Sequence, residues 1–362
     1  MPKVAFVKFD VVSKENVMEN TKRAMRLADW ESHVKGSKIF VKINGIADQM
    51  IPGVSTSPWV FEAVLQELRR KLPDAEIFVG DADLAAYKQL HKTIKLWGYD
   101  ELSEKYGAKV VNLSNVPSRK VKVDGMVLKE LDVPDILSEV DCIVNLPVMK
   151  THIITSLTIC LKNHWGLIPR GVRHNYHPVV DYVLADLNNF FKKTTFNIID
   201  GTVAMEGNAP KTGLPKICNV ILATSDRVAG DYVCSKYMGL DAEKINHLKL
   251  AEKVGVGTTK NVELVGDTKR FVADPFVPAN PAGNAVYHWE RRFRKIPGLR
   301  YIMFKTPIFA IPALLAKHYT VTWWYRREGI QTVKKVLETD YGKLLYIPII
   351  KRAGIKDFGE FP

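Results

Sequence analysis

Short apolar runs alternate with longer amphipathic stretches from Val4 to Asp226, and this alternation predicts the fold. Val4–Phe9 is a strand, Glu15–Trp30 has helical periodicity, and Lys38–Ile43 is a strand that ends at Asn44. Ser57-Pro58 opens a helix to about Leu72, with Ser57 at the cap and Pro58 at the first helical position, where a missing N–H leaves no bond unmade. Ala75–Val79 is a strand running into Gly80-Asp81-Ala82-Asp83, Tyr87–Tyr106 is helical, and Lys109–Leu113 is a strand. Arg119–Leu128 reads as a hairpin about Asp124-Gly125. Further on, Asp141–Val148 predicts a strand, Met149–Ile154 a polar connection, Thr155–Trp165 a helix closed by Gly166, and Val179–Phe191 another helix. Strand Phe196–Ile199 ends in Asp200-Gly201, a long loop spans Thr202–Pro215, and strand Ile217–Ala223 leads to a helix opened by Ser225-Asp226. This βαβα succession implies an α/β fold, a mostly parallel sheet flanked by helices on both faces.

Charge changes the picture at the C-terminal end. From His288 to Pro362 there are fifteen Lys/Arg against six Asp/Glu, which carries +9 of the net +13. Arg291–Arg327 has nine basic residues, no acid and many bulky apolar ones, among them Phe293, Tyr301, Phe304, Phe309, Trp323 and Trp324. We therefore divide the chain into an α/β core, 1–285, and a basic, aromatic-rich, amphipathic helical extension, 286–362. The longest uncharged piece of that extension, Thr306–Ala316, carries Pro307 and Pro312 and is far short of the ~20 residues that span a bilayer. Basic residues interleaved with interfacial aromatics point to an anionic membrane surface. The density of aliphatics argues against a nucleic-acid arm.

The functional signal concentrates between Cys142 and Val180. This stretch holds no Asp or Glu, yet it contains Lys150, Lys162, Arg170, Arg173 and four of the nine histidines, His152, His164, His174 and His177. Such a segment makes a local positive field suited to an anionic ligand. Lys150, Thr151 and His152 fall past a strand end, where open α/β sheets bind ligands, and Thr155 or Ser156 would cap a helix whose N–H groups favour an anion. Lys42, Asn44, Asp81, Asp83, Asp200 and Glu206 fall at other strand ends or just past them, so parallel strands would gather them along one edge. We expect Lys150 and Lys162 to hold the anion, and His152, whose ordinary pKa lies near neutrality, to transfer protons. Lys42, Asn44, Thr151, Asn163, Arg173, His174 and Glu206 complete the binding set. Asp81, Asp83, Asp200 and His177 would bind a divalent metal. The four cysteines, Cys142, Cys160, Cys218 and Cys234, are scattered, which excludes an iron–sulfur cluster or disulfide scaffold and suits a reducing, cytoplasmic setting.

Lys42 with Asn44, Thr56-Ser57-Pro58, Asn145-Leu146-Pro147, Lys150-Thr151-His152, Leu161-Lys162-Asn163 with Gly166, Asp200-Gly201, Met205-Glu206-Gly207 and Pro210 together resemble the domain-of-unknown-function family 362, over roughly residues 3–268. The resemblance implies a type of protein common in anaerobic bacteria and archaea, often fused to ferredoxin modules and with no general assigned reaction. This chain departs from the pattern in having no cluster-binding cysteines, so electron transfer would need a separate ferredoxin-type partner, and in having Ala209 where the family has glycine. The resulting expectation is an enzyme acting on a small anionic carboxylate or phosphate substrate, lipid-linked in one version, with metal-assisted or redox-coupled chemistry. The alternative is a non-catalytic basic module that docks to a membrane surface or redox partner.

Overall fold

The computed structural model describes residues 1–84, 88–169, 173–192, 195–210, 212–280 and 318–355, together with the isolated positions 292, 296 and 315. Its strands are β1 (Lys3–Lys8), β2 (Lys38–Lys42), β3 (Glu76–Asp81), β4 (Ala108–Asn112), β5 (Ser118–Lys122), β6 (Glu130–Pro134), β7 (Cys142–Asn145), β8 (Val148–His152), β9 (Ser156–Thr158), β10 (Thr195–Asn208), β11 (Thr212–Thr224) and β12 (Glu263–Gly266). The main sheet runs in the order β12-β1-β11-β10-β7-β2-β3-β4, and β5 and β6 form a separate antiparallel pair. Every neighbouring pair along that order is parallel except those involving β11, which lies antiparallel to β1 and β10. The central strands β2 (KIFVK) and β7 (CIVN) are buried almost throughout, the signature of a parallel sheet covered on both faces.

Helices Lys14–Leu27 and Pro58–Lys71 pack against each other on one face. Lys14–Leu27 begins at Ser13, whose side chain accepts from the Asn16 N–H. Pro58 stands at the start of the other, as its fixed φ allows. The span expected to be one helix from Tyr87 to Tyr106 is two, Leu90–Trp97 and Tyr99–Lys105, split at Gly98 with φ +71°. Tyr87 itself lies outside the described residues.

Three expectations are corrected around the strand ends. The stretch read as one strand and a polar connection is two strands in line, β7 and β8, separated by Leu146-Pro147; β10 pairs first with β7 and then with β8. The stretch read as a helix from Thr155 to Trp165 instead turns back as β9, antiparallel to β8, and only Cys160–Asn163 is α-helical. The loop expected at Thr202–Pro215 is the distal half of a long β10–β11 hairpin, with register running to Asn208 opposite Thr212. Glycine and polar residues such as Lys150, Thr151, His152, Gly201 and Gly207 disguise these strands, whose pairing partners are distant in sequence.

The described part of the C-terminal extension is helical and packs on the core. Tyr325, Val333, Val336, Tyr341, Leu345, Tyr346, Ile349 and Ile350 belong to the same hydrophobic cluster as Val41, Phe61, Trp97 and Val144. Trp59 lies 6.2 Å from Tyr341 and Trp97 6.3 Å from Tyr346, ring to ring.

Candidate functional site

The carboxyl edge of the sheet carries buried charge. Lys42, the last residue of β2, is wholly buried; its Nζ lies 2.9 Å from Asp81 Oδ2 at the end of β3 and donates to the Ile43 carbonyl at 2.7 Å. Burial pulls the Lys42 pKa down even against the attraction of Asp81. Asp81 is held further, its Oδ2 accepting from the Gly45 N–H (3.0 Å) and its Oδ1 from the Ala82 N–H (2.7 Å). Gly166 sits against this pair so closely that a Cβ there would fall 2.0 Å from Asp81 Oδ1 and 2.7 Å from Lys42 Nζ. Lys150, in β8, is equally buried; its Nζ donates to Asn44 Oδ1 at 2.6 Å and to the Val54 carbonyl at 2.5 Å. Its pKa is pushed down to about 7 by burial, with Asp200 and Asp81 resisting.

From Lys150 a chain of side-chain amides crosses the sheet. Asn44 Nδ2 donates to Asn163 Oδ1 (2.9 Å), Asn163 Nδ2 to Asn145 Oδ1 (2.8 Å), Asn145 Nδ2 to Asn197 Oδ1 (2.9 Å), and Asn197 Nδ2 to the Thr224 carbonyl (3.1 Å). All four asparagines are buried, so each donor and acceptor must be matched inside the protein. The bonds run in one direction and polarise one another, which fixes Asn44 Oδ1 as an acceptor facing the Lys150 amine. Thr56 closes the near end: its Oγ1 accepts from the Asn44 N–H and donates to the Leu146 carbonyl, and its own carbonyl accepts from the Tyr99 hydroxyl. Asn197 was not singled out from the sequence, although an amide inside the apolar run of β10 was the available signal.

Three histidines lie nearby in different states. His152 Nδ1 accepts from the Ile154 and Thr155 N–H groups at 3.1 and 3.3 Å, so its proton resides on Nε2. Burial, Lys162, His247 and Lys150 hold its pKa well below the usual imidazole range. As placed, His152 is a neutral imidazole whose Nδ1 closes a turn as an acceptor. His164 is completely buried, and its Nδ1 faces an Arg227 guanidinium nitrogen at 3.1 Å. Arginine only donates, so His164 also carries its proton on Nε2, and that N–H has no hydrogen-bond partner. Burial first, then Arg227 and Lys42, keep it neutral. His177 stacks on Trp165 at 5.6 Å. The backbone of His174 opens the turn His174–Val179, but its side chain and Arg170 lie outside the described residues. Lys162 is half-buried; its Nζ stands 5.0 Å from the Trp165 ring and makes no hydrogen bond or ion pair with a described residue. Burial pushes its pKa down to about 7, and the charges of Arg173 and Lys42 push the same way, against Asp181 and Asp81.

Residues 39–236 match the domain of unknown function DUF362, more than half of the chain and all of the amide chain. The chain belongs to this family. Over 130 residues it is 28% identical to a thylakoid-associated protein of Synechocystis sp., a stretch that takes in 33% of this chain and 40% of that relative. Among solved structures it is similar to the lactate racemase apoprotein of Thermoanaerobacterium thermosaccharolyticum (TM-score 0.44, 12% identity, 66% of this chain and 57% of that one). It is also similar to a protein from Thermotoga maritima (TM-score 0.35, 13% identity, 68% and 59%). The chain thus spans well under two thirds of the length of each.

Within the DUF362 domain the sequence-derived residues separate by role. Lys42, Asn44, Asp81, Lys150 and Asn163 are brought together. Thr151 holds the hairpin instead, its Oγ1 donating to the Gly207 carbonyl at 2.7 Å. Glu206 is also outside the cluster, accepting from the Val277 N–H at 3.0 Å. Asp83 caps a helix, accepting from the Leu90 N–H and the Asn112 amide. Asp200 accepts from the Ser57 and Thr202 N–H groups and the Thr202 hydroxyl, and burial raises its pKa. Asp81, Asp83 and Asp200 each already accept from N–H or O–H donors of the protein. Among the described residues no group of three or more His, Cys, Asp or Glu is disposed to hold a metal ion. The anion site expected at a helix N-terminus after His152 is also absent. The amides that open helix Cys160–Asn163, those of Cys160 and Leu161, are taken by the Asp231 carboxylate at 2.7 and 3.2 Å.

Proposed function

We propose that the carboxyl edge of the sheet binds a small anion, a carboxylate or phosphate, and acts on it as an enzyme. The observation that carries this reading is Lys162: a half-buried ammonium without a hydrogen bond to a described residue, in a carboxylate-free stretch, with Arg173 and Lys42 close enough to depress it. Lys42 is balanced by Asp81, and Lys150 is drawn toward Asp200, so an incoming anion meets the charge of Lys162, which no described residue pairs. The buried Nε2–H of His164 offers a neutral donor to the same ligand. Lys150 is the proton-transfer group: an amine with a pKa of about 7 exists in both forms near neutrality, which is what general acid–base catalysis requires. His152 orients the turn between β8 and β9. Redox coupling, where it operates, comes from a separate ferredoxin-type protein, and the buried thiols suit a reducing cytoplasmic setting.

The reading is tested with phosphate, sulfate and lactate as probes, following the melting temperature of the full chain and of Lys162→Ala and Lys162→Arg. The wild type is expected to be stabilised by at least one probe, Lys162→Ala to lose that shift, and Lys162→Arg to keep most of it. Because Lys162 is partly neutral near pH 7, binding should take up protons, seen as a calorimetric heat that changes with the buffer's ionisation enthalpy. An unchanged shift in Lys162→Ala places the anion elsewhere and ends the proposal.

A further inference from the structure

Helix Tyr319–Gly329 has two different faces. On its inner side Tyr325 is wholly buried, its hydroxyl donating to the Gly213 carbonyl at 2.6 Å, and its ring meets that of Trp324 edge-on at 4.8 Å. On its outer side Tyr319 and Trp323 are 41% and 42% exposed and stack on each other at 5.3 Å, with the Arg327 guanidinium 4.9 Å over the Trp323 ring. These three residues are spaced four apart, so they form one stripe, ring to ring to cation. The inner face already ties the helix to the β10–β11 hairpin, so the stripe is left over after packing rather than waiting to pack.

We propose that this stripe docks the chain on an anionic lipid surface, with the helix lying in the plane of the interface. Tryptophan and tyrosine side chains favour the headgroup level, where the ring is desolvated and the polar tip stays wet. Arg327 ends the stripe, with Arg326 before it and Glu328 after it in sequence, and the segment Arg291–Arg327 adds basic residues without an acid. The positive charge matches the negative potential of anionic lipid. Among the described residues no helix is long and apolar enough to cross a membrane. The same charges would suit nucleic acid, but Ile302, Met303, Ile308, Phe309, Leu314 and Leu315 in the adjoining sequence favour a lipid interface over a solvated polyanion. The proposal stands apart from the anion site at the sheet edge and uses none of its residues.

The test is co-sedimentation of the full chain with vesicles of phosphatidylcholine alone and of phosphatidylcholine with phosphatidylglycerol, at low and high salt. A short RNA serves as competitor. The wild type is expected to pellet with the anionic vesicles only and to be released by salt, because exposed charges are screened. Tyr319→Ala with Trp323→Ala should abolish most of the pelleting at an unchanged melting temperature. Arg326→Gln and Arg327→Gln should each weaken it about fivefold, the ratio that follows from the usual contribution of one basic group near such a surface. Equal pelleting of the aromatic double variant and the wild type, or of neutral and anionic vesicles, overturns the proposal. So does full displacement by RNA.

Discussion

Lys150 shows how one residue can be expensive to bury and still be retained. Its ammonium has two carbonyl acceptors and no carboxylate within ion-pair distance, so the charged form is poorly compensated and the pKa drops to about 7. An unfolded chain returns the amine to its ordinary value near ~10.4. Between these limits the unfolded state binds the extra proton, so folding stability rises with pH from about 7 upward; below about 7 both states are protonated and the full burial penalty applies. Lys150→Met should remove this slope, being more stable than the wild type at pH 6 and gaining little by pH 9, as read by urea unfolding at each pH. Parallel stability–pH curves for the two proteins would show that Lys150 is not the titrating group. Sequence alone marked Lys150 because it lies past a strand in a carboxylate-free stretch. It did not reveal the chain Asn44–Asn163–Asn145–Asn197, because those residues are up to 153 positions apart and meet only when β2, β7 and β10 lie side by side.

At the scale of elements, Gly166 links the short helical turn His164–Leu167 to the ends of β2 and β3. Its Cα fills the space over the Lys42–Asp81 pair, and both partners are pinned by further hydrogen bonds, so neither can yield to a methyl group. Gly166→Ala is expected to destabilise by roughly 3 kcal/mol, at the upper end for overpacking a tight core. Gly207→Ala is the control: its φ is +75° but its Cβ would meet nothing within 4 Å, so only backbone strain of about 1–2 kcal/mol applies. Denaturant unfolding that ranked the two equally would remove the case for close packing at Gly166. The closing glycine was legible in the sequence as a helix stop; its actual function depends on which strands end beneath it. The hairpin β10–β11 was missed for a related reason. Its distal half pairs with β8 and carries residues 277–280 beside its tip through Gly207, Glu206 and Asn208, partners that sequence order does not reveal.

At the scale of the whole molecule, one hydrophobic cluster of the described residues reaches from β1 to Ile350. Tyr325, Val333, Tyr341 and Tyr346 are each buried within 4% of full coverage, and each large side chain contributes roughly 1.5–3 kcal/mol on burial. Together these approach the 5–15 kcal/mol that typically separates folded from unfolded states. A chain ending at Asn280 should therefore lose its cooperative thermal transition or melt far lower, and should bind a hydrophobic dye that the full chain does not. The same melting temperature without dye binding would mean that this packing is marginal. Strand and helix periodicity were enough to establish an α/β fold, because it is a local consequence of which side chains face water. Tertiary structure alone decided which N–H groups the strand-end carboxylates accept from, that Lys162 rather than Lys150 has no hydrogen bond to a described residue, and that the described part of the basic extension turns one face inward. Each of these depends on partners distant in sequence, and a buried polar group takes its role from the groups that satisfy it.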